Sequence, residues 1–396
     1  MEKDFHYYAT YCAAYIAGFT HEESVRIAWS AAFVDNCSKT FLARAKAPLS
    51  AATTQLQMEL MDMRTDVIGL QEITRIWTSF HFLPKDLYAP VKGAKRYRNK
   101  YRLLCGPNGP LLKDTIELAK SGGTLEAIGL SMHVIADTWA HMYFIGTTSF
   151  VFNTSNYHFY EKIADGDGGF CEKHITFRHS PGTPDDAVNS LYTATPFSLR
   201  ENAVFNLGHG RLTHLPDYAY ARYRYMPSWK NYDEVYKDNP TDFYNAFCQM
   251  IYALKYMRGA ADSFETDTYD FEAARPYEQE IRTFFEKRKI ELSEEWKALA
   301  LKLSGREFAP FEIEPAAVDY IDAGEKRDDT ALGRYVKAAL AQKSMVTNKV
   351  FRSGNLMCGY SVNYEEKGLK GIKDYFKLLE MQNEDRISRR RKGGEE

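Results

Sequence analysis

Three ionisable side chains follow one another at intervals of four residues near the middle of the chain. They are His133, Asp137 and His141. On an α-helix the spacing i, i+4, i+8 places these side chains along one stripe. The residues between them are almost all apolar, so the helix should be buried and the three groups should need partners there. A metal ion bound by imidazole and carboxylate is the partner that we expect; histidines satisfied by hydrogen bonds within the core are the alternative.

Further candidate ligands lie in apolar or aromatic surroundings in the first part of the chain. His6 follows a phenylalanine, Asp35 follows the run Ala-Phe-Val, and His81 lies between two phenylalanines. Zinc favours nitrogen and oxygen donors of this kind. The six cysteines are scattered without a CxxC pair, which argues against a thiolate zinc site and against a disulfide framework.

Two short helices are predicted to bring the first of these donors together. Residues 5–18 have helical apolar spacing and end at Gly18, a suitable C-terminal cap. A capping box at residues 20–23 then begins a second helix that runs to about Asp35. So short a joint must fold the helices back antiparallel. Because the two arms are nearly equal in length, His6 and Asp35 should finish side by side.

Helical patterns continue along most of the remaining chain. They occupy residues 52–80, 124–144, 198 to about 215, 241–258, 273–304 and 331–348. Residues 150–197 are rich in Gly, Asn, Asp, Thr and Pro, so we predict a long irregular loop there. The sequence contains no repeat and no convincing series of strands. The predicted fold class is therefore all-α: a multi-helix bundle with a metal cluster in its core, a long irregular insertion and additional C-terminal helices.

The helix with the three spaced ligands resembles a known signature. Residues 127–141, AIGLSMHVIADTWAH, are similar to the signature helix of zinc-dependent phospholipase C, of the related phospholipase C/D domains and of the single-strand-specific zinc nucleases. These are all-helical enzymes with three clustered metals, and the resemblance extends over roughly residues 5–220. In that family the ligands of one zinc ion follow one another as Asp, His, His and Asp. The matching residues here are Asp35, His81, His133 and Asp137.

The resemblance also implies ligands for further ions, so two or three zinc ions are expected. A second zinc would be bound by His141 and by His209 from a following helix. A third would be bound by His6 and would share the carboxylate of Asp137.

The sequence departs from the family at both of these further sites. The family has a glutamate four residues after the histidine of the following helix, but position 213 is a threonine here. We therefore expect Asp217 to complete the second site, with His214 as the alternative. Members of the family place their mature N-terminal residue on the third metal after a signal segment is removed. We recognise no such segment here, so Asp4 is a possible substitute for Met1.

Phosphoester hydrolysis by a zinc-activated water is the activity that the resemblance implies. Asp35 or a nearby carboxylate would orient or deprotonate that water. The substrate would be a lipid, a nucleotide or a single-stranded nucleic acid. Arg222 and Arg224, in the aromatic segment 218–225, are candidates for binding a second phosphate, and a helix face packed on the core is the alternative interpretation of that segment. A non-catalytic helical protein with structural metal sites is the rival hypothesis, but the many candidate ligands favour open, catalytic sites.

Composition limits the surroundings and the domain plan of the protein. The net charge of −2 provides no general attraction for nucleic acid or anionic membrane. No stretch reaches about 18 uncharged apolar residues, so we expect a soluble cytoplasmic protein without stable membrane insertion. The sequence does not assign an oligomeric state. Residues 1–235 should form the metal-cluster domain with its insertion at 150–197, residues 236–384 should form helices that pack on or extend it, and residues 385–396 should be a disordered charged tail.

Overall fold

The computed structural model of the chain describes a helix-rich molecule that also contains two β-sheets. The described residues are 1–56, 58–60, 67–89, 102–147, 155–165, 169–178, 184–193, 208, 212, 214–227, 230, 233–307, 309–353 and 355. Most of the predicted helix from residue 198 to about 215, including His209, and the predicted charged tail lie outside these residues; residues 208, 212 and 214 are described as turns, and residue 215 begins a 3-10 turn.

The fold class is mixed α/β, so the all-α prediction is wrong. One sheet is antiparallel with the strand order β2-β1-β5-β6, and a second, two-stranded sheet pairs β3 with β4 in parallel. Several of the strands lie within residues 150–197, which were predicted to be an irregular loop. The strands are β1 (Ser155–Ala164), β2 (Phe170–His174), β3 (Thr176–Arg178), β4 (Leu191–Thr193), β5 (Arg222–Pro227) and β6 (Val235–Asp238).

Strand β5 illustrates why the aromatic segment is not a helix. Tyr223 and Tyr225 are buried, whereas Arg222 and Arg224 are partly exposed, so the segment alternates with a period of two. Tyrosine also packs well on a half-buried pleated surface. The strand pairs with β1, some 60 residues earlier in the chain, and such long-range pairing is invisible to a local pattern.

Most of the predicted helices are present, with changed boundaries. The patterns at 241–258 and 331–348 correspond to single helices, whereas the pattern at 273–304 is divided into three. The helices are α1 (Thr10–Ile16), α2 (His21–Phe33), α3 (Lys39–Arg44), α4 (Val67–Phe80), α5 (Pro110–Gly122), α6 (Leu125–Ala140), α7 (Asn239–Met257), α8 (Phe271–Ala274), α9 (Glu278–Glu286), α10 (Ser293–Ser304), α11 (Glu314–Asp322) and α12 (Ala331–Arg352).

The predicted N-terminal helical hairpin is confirmed. A π-helical turn, Phe5–Ala9, leads directly into α1, and Gly18 has a φ of +97° at the turn into α2. The capping box is formed in both directions: the amide of Glu23 donates to the Thr20 hydroxyl and the amide of Thr20 donates to the Glu23 carboxylate. Helices α1 and α2 pack together, so the two ends of the hairpin meet.

Helix α6, which carries the signature residues, lies at the centre of the molecule. It packs against α2, α5, α7 and α12, and its residues from Glu126 to Ala140 are buried. Gly129 lets α2 approach closely, since a Cβ atom at this position would lie 2.2 Å from the carbonyl oxygen of Ile27. Two of the described C-terminal helices, α7 and α12, therefore lie against the helix that carries the candidate ligands.

The described part of the chain includes no helix with both the length and the apolar character that crossing a bilayer requires. Its cysteines are free thiols at positions 12, 37, 105, 171 and 248, and Cys171 alone among these five is exposed.

Candidate metal centre

Asp137 lies at the centre of a buried group of histidines and carboxylates. Its Oδ2 atom is 3.0 Å from Nε2 of His133 and 3.1 Å from Nδ1 of His81. Its Oδ1 atom is 3.2 Å from Nε2 of His6 and 2.7 Å from the amino nitrogen of Met1. The two oxygens of a single carboxylate therefore face two different sets of nitrogen atoms.

Asp35 closes the group on its solvent side. Its Oδ1 atom is 3.7 Å from Nδ1 of His81 and 3.8 Å from Nε2 of His133, and its Oδ2 atom is 4.0 Å from Nε2 of His6. The Asp35 side chain is 41% exposed, whereas the three imidazoles are at most 4% exposed. The predicted meeting of His6 and Asp35 at the open ends of the helical hairpin is thus observed.

His141 and Asp217 extend the group on another side. Nε2 of His141 is 2.9 Å from Oδ1 of Asp217, and Nδ1 of His141 is 3.6 Å from Oδ2 of Asp137. The same Oδ1 atom of Asp217 is 3.1 Å from the amino nitrogen of Met1. The ring of Phe82 stacks on the His141 imidazole with centroids 4.6 Å apart and holds it in place.

Three of the histidines are oriented by backbone carbonyl groups. His81 is 2.9 Å through Nε2 from the carbonyl oxygen of Thr53, and His133 is 3.0 Å through Nδ1 from that of Ala31. His141 is 2.7 Å through Nδ1 from the carbonyl oxygen of His81. A neutral imidazole has one N–H, so a ring that donates it to a carbonyl presents a lone pair from its other nitrogen. Metal-binding histidines are usually held in this way.

His6 differs from these three, because within the described part of the chain neither of its ring nitrogens makes a hydrogen bond. The side chain is fully buried, and its ring stacks on that of His133 with centroids 3.9 Å apart. A buried polar group without a hydrogen bond carries a free-energy cost of about 1–3 kcal/mol. Coordination of a metal ion through Nε2 would remove that cost. The residues therefore fit a metal cluster: lone pairs of imidazole face ionised carboxylates, and one buried imidazole is left without a hydrogen bond.

Asp137 dominates the electrostatics of this buried group of histidines and carboxylates. Burial alone would raise the pKa of its carboxyl, but the neighbouring His141, Met1 amino group and His133 hold that pKa well below its usual range. Burial opposes the charge of the Met1 amino group, yet Asp137 and Asp217 raise its pKa to about 11. Burial, with repulsion from His133 and from the amino group, lowers the pKa of His6 to about 4. His6 is thus a neutral donor at physiological pH.

The pKa of His81 is shifted in the opposite direction from that of His6. Burial opposes protonation of this imidazole, but its hydrogen bond to Asp137 and the charges of Asp137 and Asp35 outweigh burial and raise its pKa.

The structure brings most of the predicted ligands together. The cluster, as this name is used below, consists of His6, Asp35, His81, His133, Asp137, His141 and Asp217. His209 lies outside the described residues.

The two possible third-site residues, Met1 and Asp4, have different surroundings. The Met1 amino nitrogen lies between Asp137 and Asp217. The Asp4 carboxylate instead accepts hydrogen bonds from the backbone amides of Phe5 and Leu292, so it is not brought into the cluster.

The two arginines suggested for phosphate binding lie elsewhere. Arg222 forms ion pairs with Glu286 and Asp238, and Arg224 forms ion pairs with Glu172 and Glu234. Both side chains are on the outer face of the antiparallel sheet, and among the described residues neither contacts the cluster. Carboxylates within the protein already occupy these guanidinium groups.

Asn239, which no sequence pattern predicts as a site residue, holds Asp217 in position. Its side-chain amide donates to the carbonyl oxygens of Pro216 and Tyr218, at 3.1 Å and 2.8 Å, and so brackets the aspartate on both sides. Asn239 is completely buried at the start of α7. An asparagine before a proline at a helix start has no local signal for this role, because its partners lie more than 20 residues away.

The fold and the cluster define a helix-rich α/β protein with a buried histidine–carboxylate centre. Residues 1–350 match the model of a family described as a family of unknown function (DUF6765), and the chain belongs to that family. The match includes every residue of the cluster. Neither the comparison with curated proteins nor the comparison with solved structures found a match.

Proposed function

We propose that this protein is a metal-dependent phosphoester hydrolase and that the cluster is its active site. The observation that carries the proposal is the orientation of three histidines. His81, His133 and His141 each have one ring nitrogen at a backbone carbonyl and the other at a carboxylate of the cluster. Lone pairs and carboxylates that face one another at 2.9–3.1 Å repel unless a cation or extra protons lie between them.

The ligands divide naturally around Asp137. Its Oδ2 atom lies beside His81 and His133, and its Oδ1 atom lies beside His6. Ions held by the donors on the two sides of Asp137 would stabilise both the attacking and the leaving oxygen of a phosphoester. Nitrogen and carboxylate donors suit zinc, and zinc is the ion that the resemblance implies. His141 and Asp217 provide donors for a further ion.

Bound zinc would supply Lewis-acid activation of a water molecule and of the phosphoryl oxygens. The protein itself would contribute a general base and a carboxylate that holds the donor groups together. Asp35 is the candidate general base, because it is the most exposed carboxylate of the cluster and its oxygens are 3.7 Å or more from the imidazole nitrogens. Asp137 is buried and contacts four nitrogen atoms, so its role is to hold the donor groups together.

The substrate would be a phosphoester of a lipid, a nucleotide or a single-stranded nucleic acid. We place the activity in the cytoplasm, because free thiols are typical of a reducing compartment. The small net charge also provides no general attraction to a charged surface.

Elemental analysis together with a chelator experiment tests the metal requirement. We expect at least two zinc ions per chain after metal-replete expression, because the ligand set exceeds what one ion can use. Hydrolysis of a chromogenic phosphodiester should be lost after chelation and restored by zinc, and chelation should also lower the melting temperature. Less than one ion per chain would contradict the proposal. Tightly bound metal without hydrolysis of any lipid, nucleotide or oligonucleotide substrate would favour a protein with structural metal sites.

Substitution of Asp35 separates metal binding from chemistry. In Asp35→Asn we expect kcat to fall by about 10²- to 10⁴-fold, the usual contribution of a general base. Most of the bound metal should remain, because the buried histidines and Asp137 are unchanged. Asp319→Asn, an exposed aspartate on α11, is the control and should behave as the unmodified protein. An unchanged kcat in Asp35→Asn would place the base elsewhere.

A further inference from the structure

Asp217 also has neighbours outside the cluster. The residue ends a short 3-10 turn, Leu215–Asp217, which His214 directly precedes. Residues three apart eclipse one another in a 3-10 helix, so the side chains of His214 and Asp217 lie on the same side of the turn. Nδ1 of His214 is 3.7 Å from Oδ2 of Asp217 and 3.4 Å from Oε1 of Glu2.

The two oxygens of Asp217 therefore serve different neighbours. Oδ1 faces His141 and the amino nitrogen of Met1, inside the cluster. Oδ2 faces His214, on the side towards solvent. The side chains of His214 and Glu2 are 68% and 29% exposed, whereas Asp217 is 8% exposed. Asp217 thus lies between the buried His141 and Met1 amino group on one side and the more exposed His214 and Glu2 on the other.

Glu2, His214 and Asp217 together have the composition of a zinc site with free coordination positions. One ligand atom from each of Glu2, His214 and Asp217 lies within 4.8 Å of the others. One imidazole and two carboxylates are donors that zinc accepts, and three protein ligands leave room for water. The position of Asp217 is fixed in advance, because Asn239 binds the carbonyl groups on both sides of it. A cation here would also offset the charge of two neighbouring carboxylates.

We infer that Glu2, His214 and Oδ2 of Asp217 form an additional, solvent-facing divalent-cation site that binds zinc exchangeably. The inference goes beyond the proposed hydrolase and does not require the cluster to be catalytic. Because the site has three protein ligands and is open to water, its ion should exchange faster and bind more weakly than ions of the buried cluster. Its occupancy should follow the free zinc concentration.

A zinc titration of the full-length protein against a chromophoric chelator tests the site. We expect one further zinc ion per chain, with an affinity at least tenfold lower than that of the ions retained after gel filtration. Glu2→Gln and His214→Ala should each weaken this last binding step by about 10- to 100-fold. The content of tightly bound metal should stay unchanged in both variants. His174→Ala and Glu291→Gln, which alter an exposed histidine and an exposed glutamate elsewhere, are matched controls.

The outcomes separate this site from the cluster. The inference would be overturned if the titration shows no weaker step. It would also be overturned if the weaker step is the same in both variants as in the unmodified protein. Either result would mean that Glu2, His214 and Asp217 form ion pairs only. Absence of tightly bound metal would instead contradict the proposed function, while the weaker step could still be measured. Loss of both the tight and the weak ions in His214→Ala would assign His214 to the cluster and overturn the separate site.

Discussion

Replacement of Asp137 by asparagine is expected to remove zinc from the cluster and to abolish phosphodiester hydrolysis. The carboxylate contacts His6, His81, His133 and the Met1 amino nitrogen, so the substitution removes charge from two donor sets at once. Loss of a residue that only orients a ligand costs about 10- to 100-fold in metal affinity. For this shared ligand we expect zinc affinity to fall more than hundredfold, as measured by competition with a chelator and by elemental analysis.

Glu161→Gln is the matched control for Asp137→Asn. Glu161 is also a completely buried carboxylate, but its oxygens bind Arg288 and Tyr192 and lie outside the cluster. The control should lower the melting temperature through the loss of a buried ion pair, without loss of metal or of hydrolysis. If Asp137→Asn kept two zinc ions and its activity, the central place of Asp137 in the site would be disproved.

Substitution of Gly129 by valine should destabilise the protein strongly, because this glycine lies where two central helices touch. A Cβ atom at position 129 would meet the carbonyl oxygen of Ile27 at 2.2 Å and the Cβ atom of Ser30 at 2.6 Å. Gly129→Val must therefore push α2 away from α6, and such overpacking typically costs about 1–3 kcal/mol, occasionally more. Because α2 leads to Asp35 and α6 carries His133, we also expect weaker zinc binding. Chemical denaturation and a zinc titration measure the two effects.

Gly122→Ala is the comparison for Gly129→Val. Gly122 is the last residue of α5, and the nearest atom to an added Cβ is 3.6 Å away, an ordinary contact. Alanine should be neutral or stabilise by up to about 1 kcal/mol, because it reduces the freedom of the unfolded chain. Equal stability of Gly129→Val and the unmodified protein would mean that α2 and α6 do not pack as closely as described.

The difference between the predicted and observed fold has a specific cause. The helices could be predicted because their signals are local: Gly18 ends one arm of the hairpin, the capping box of Thr20 and Glu23 begins the other, and Thr124 caps α6 through the amide of Ala127. The sheet could not, since β1 pairs with β5, which lies some 60 residues later in the chain, and bulges in that pairing blur the period of two.

The candidate site divides in the same way between local and distant information. The donors can be identified from the residues alone: the stripe on α6 follows from helical spacing, and the meeting of His6 with Asp35 follows from two arms of similar length. What each donor faces depends on tertiary packing. Asn239 holds Asp217 from more than 20 residues away, and Arg222 and Arg224 turn to carboxylates on the outer face of the sheet. Spacing along a helix determines which side chains share a stripe, whereas the partners of a side chain depend on segments that only folding brings together.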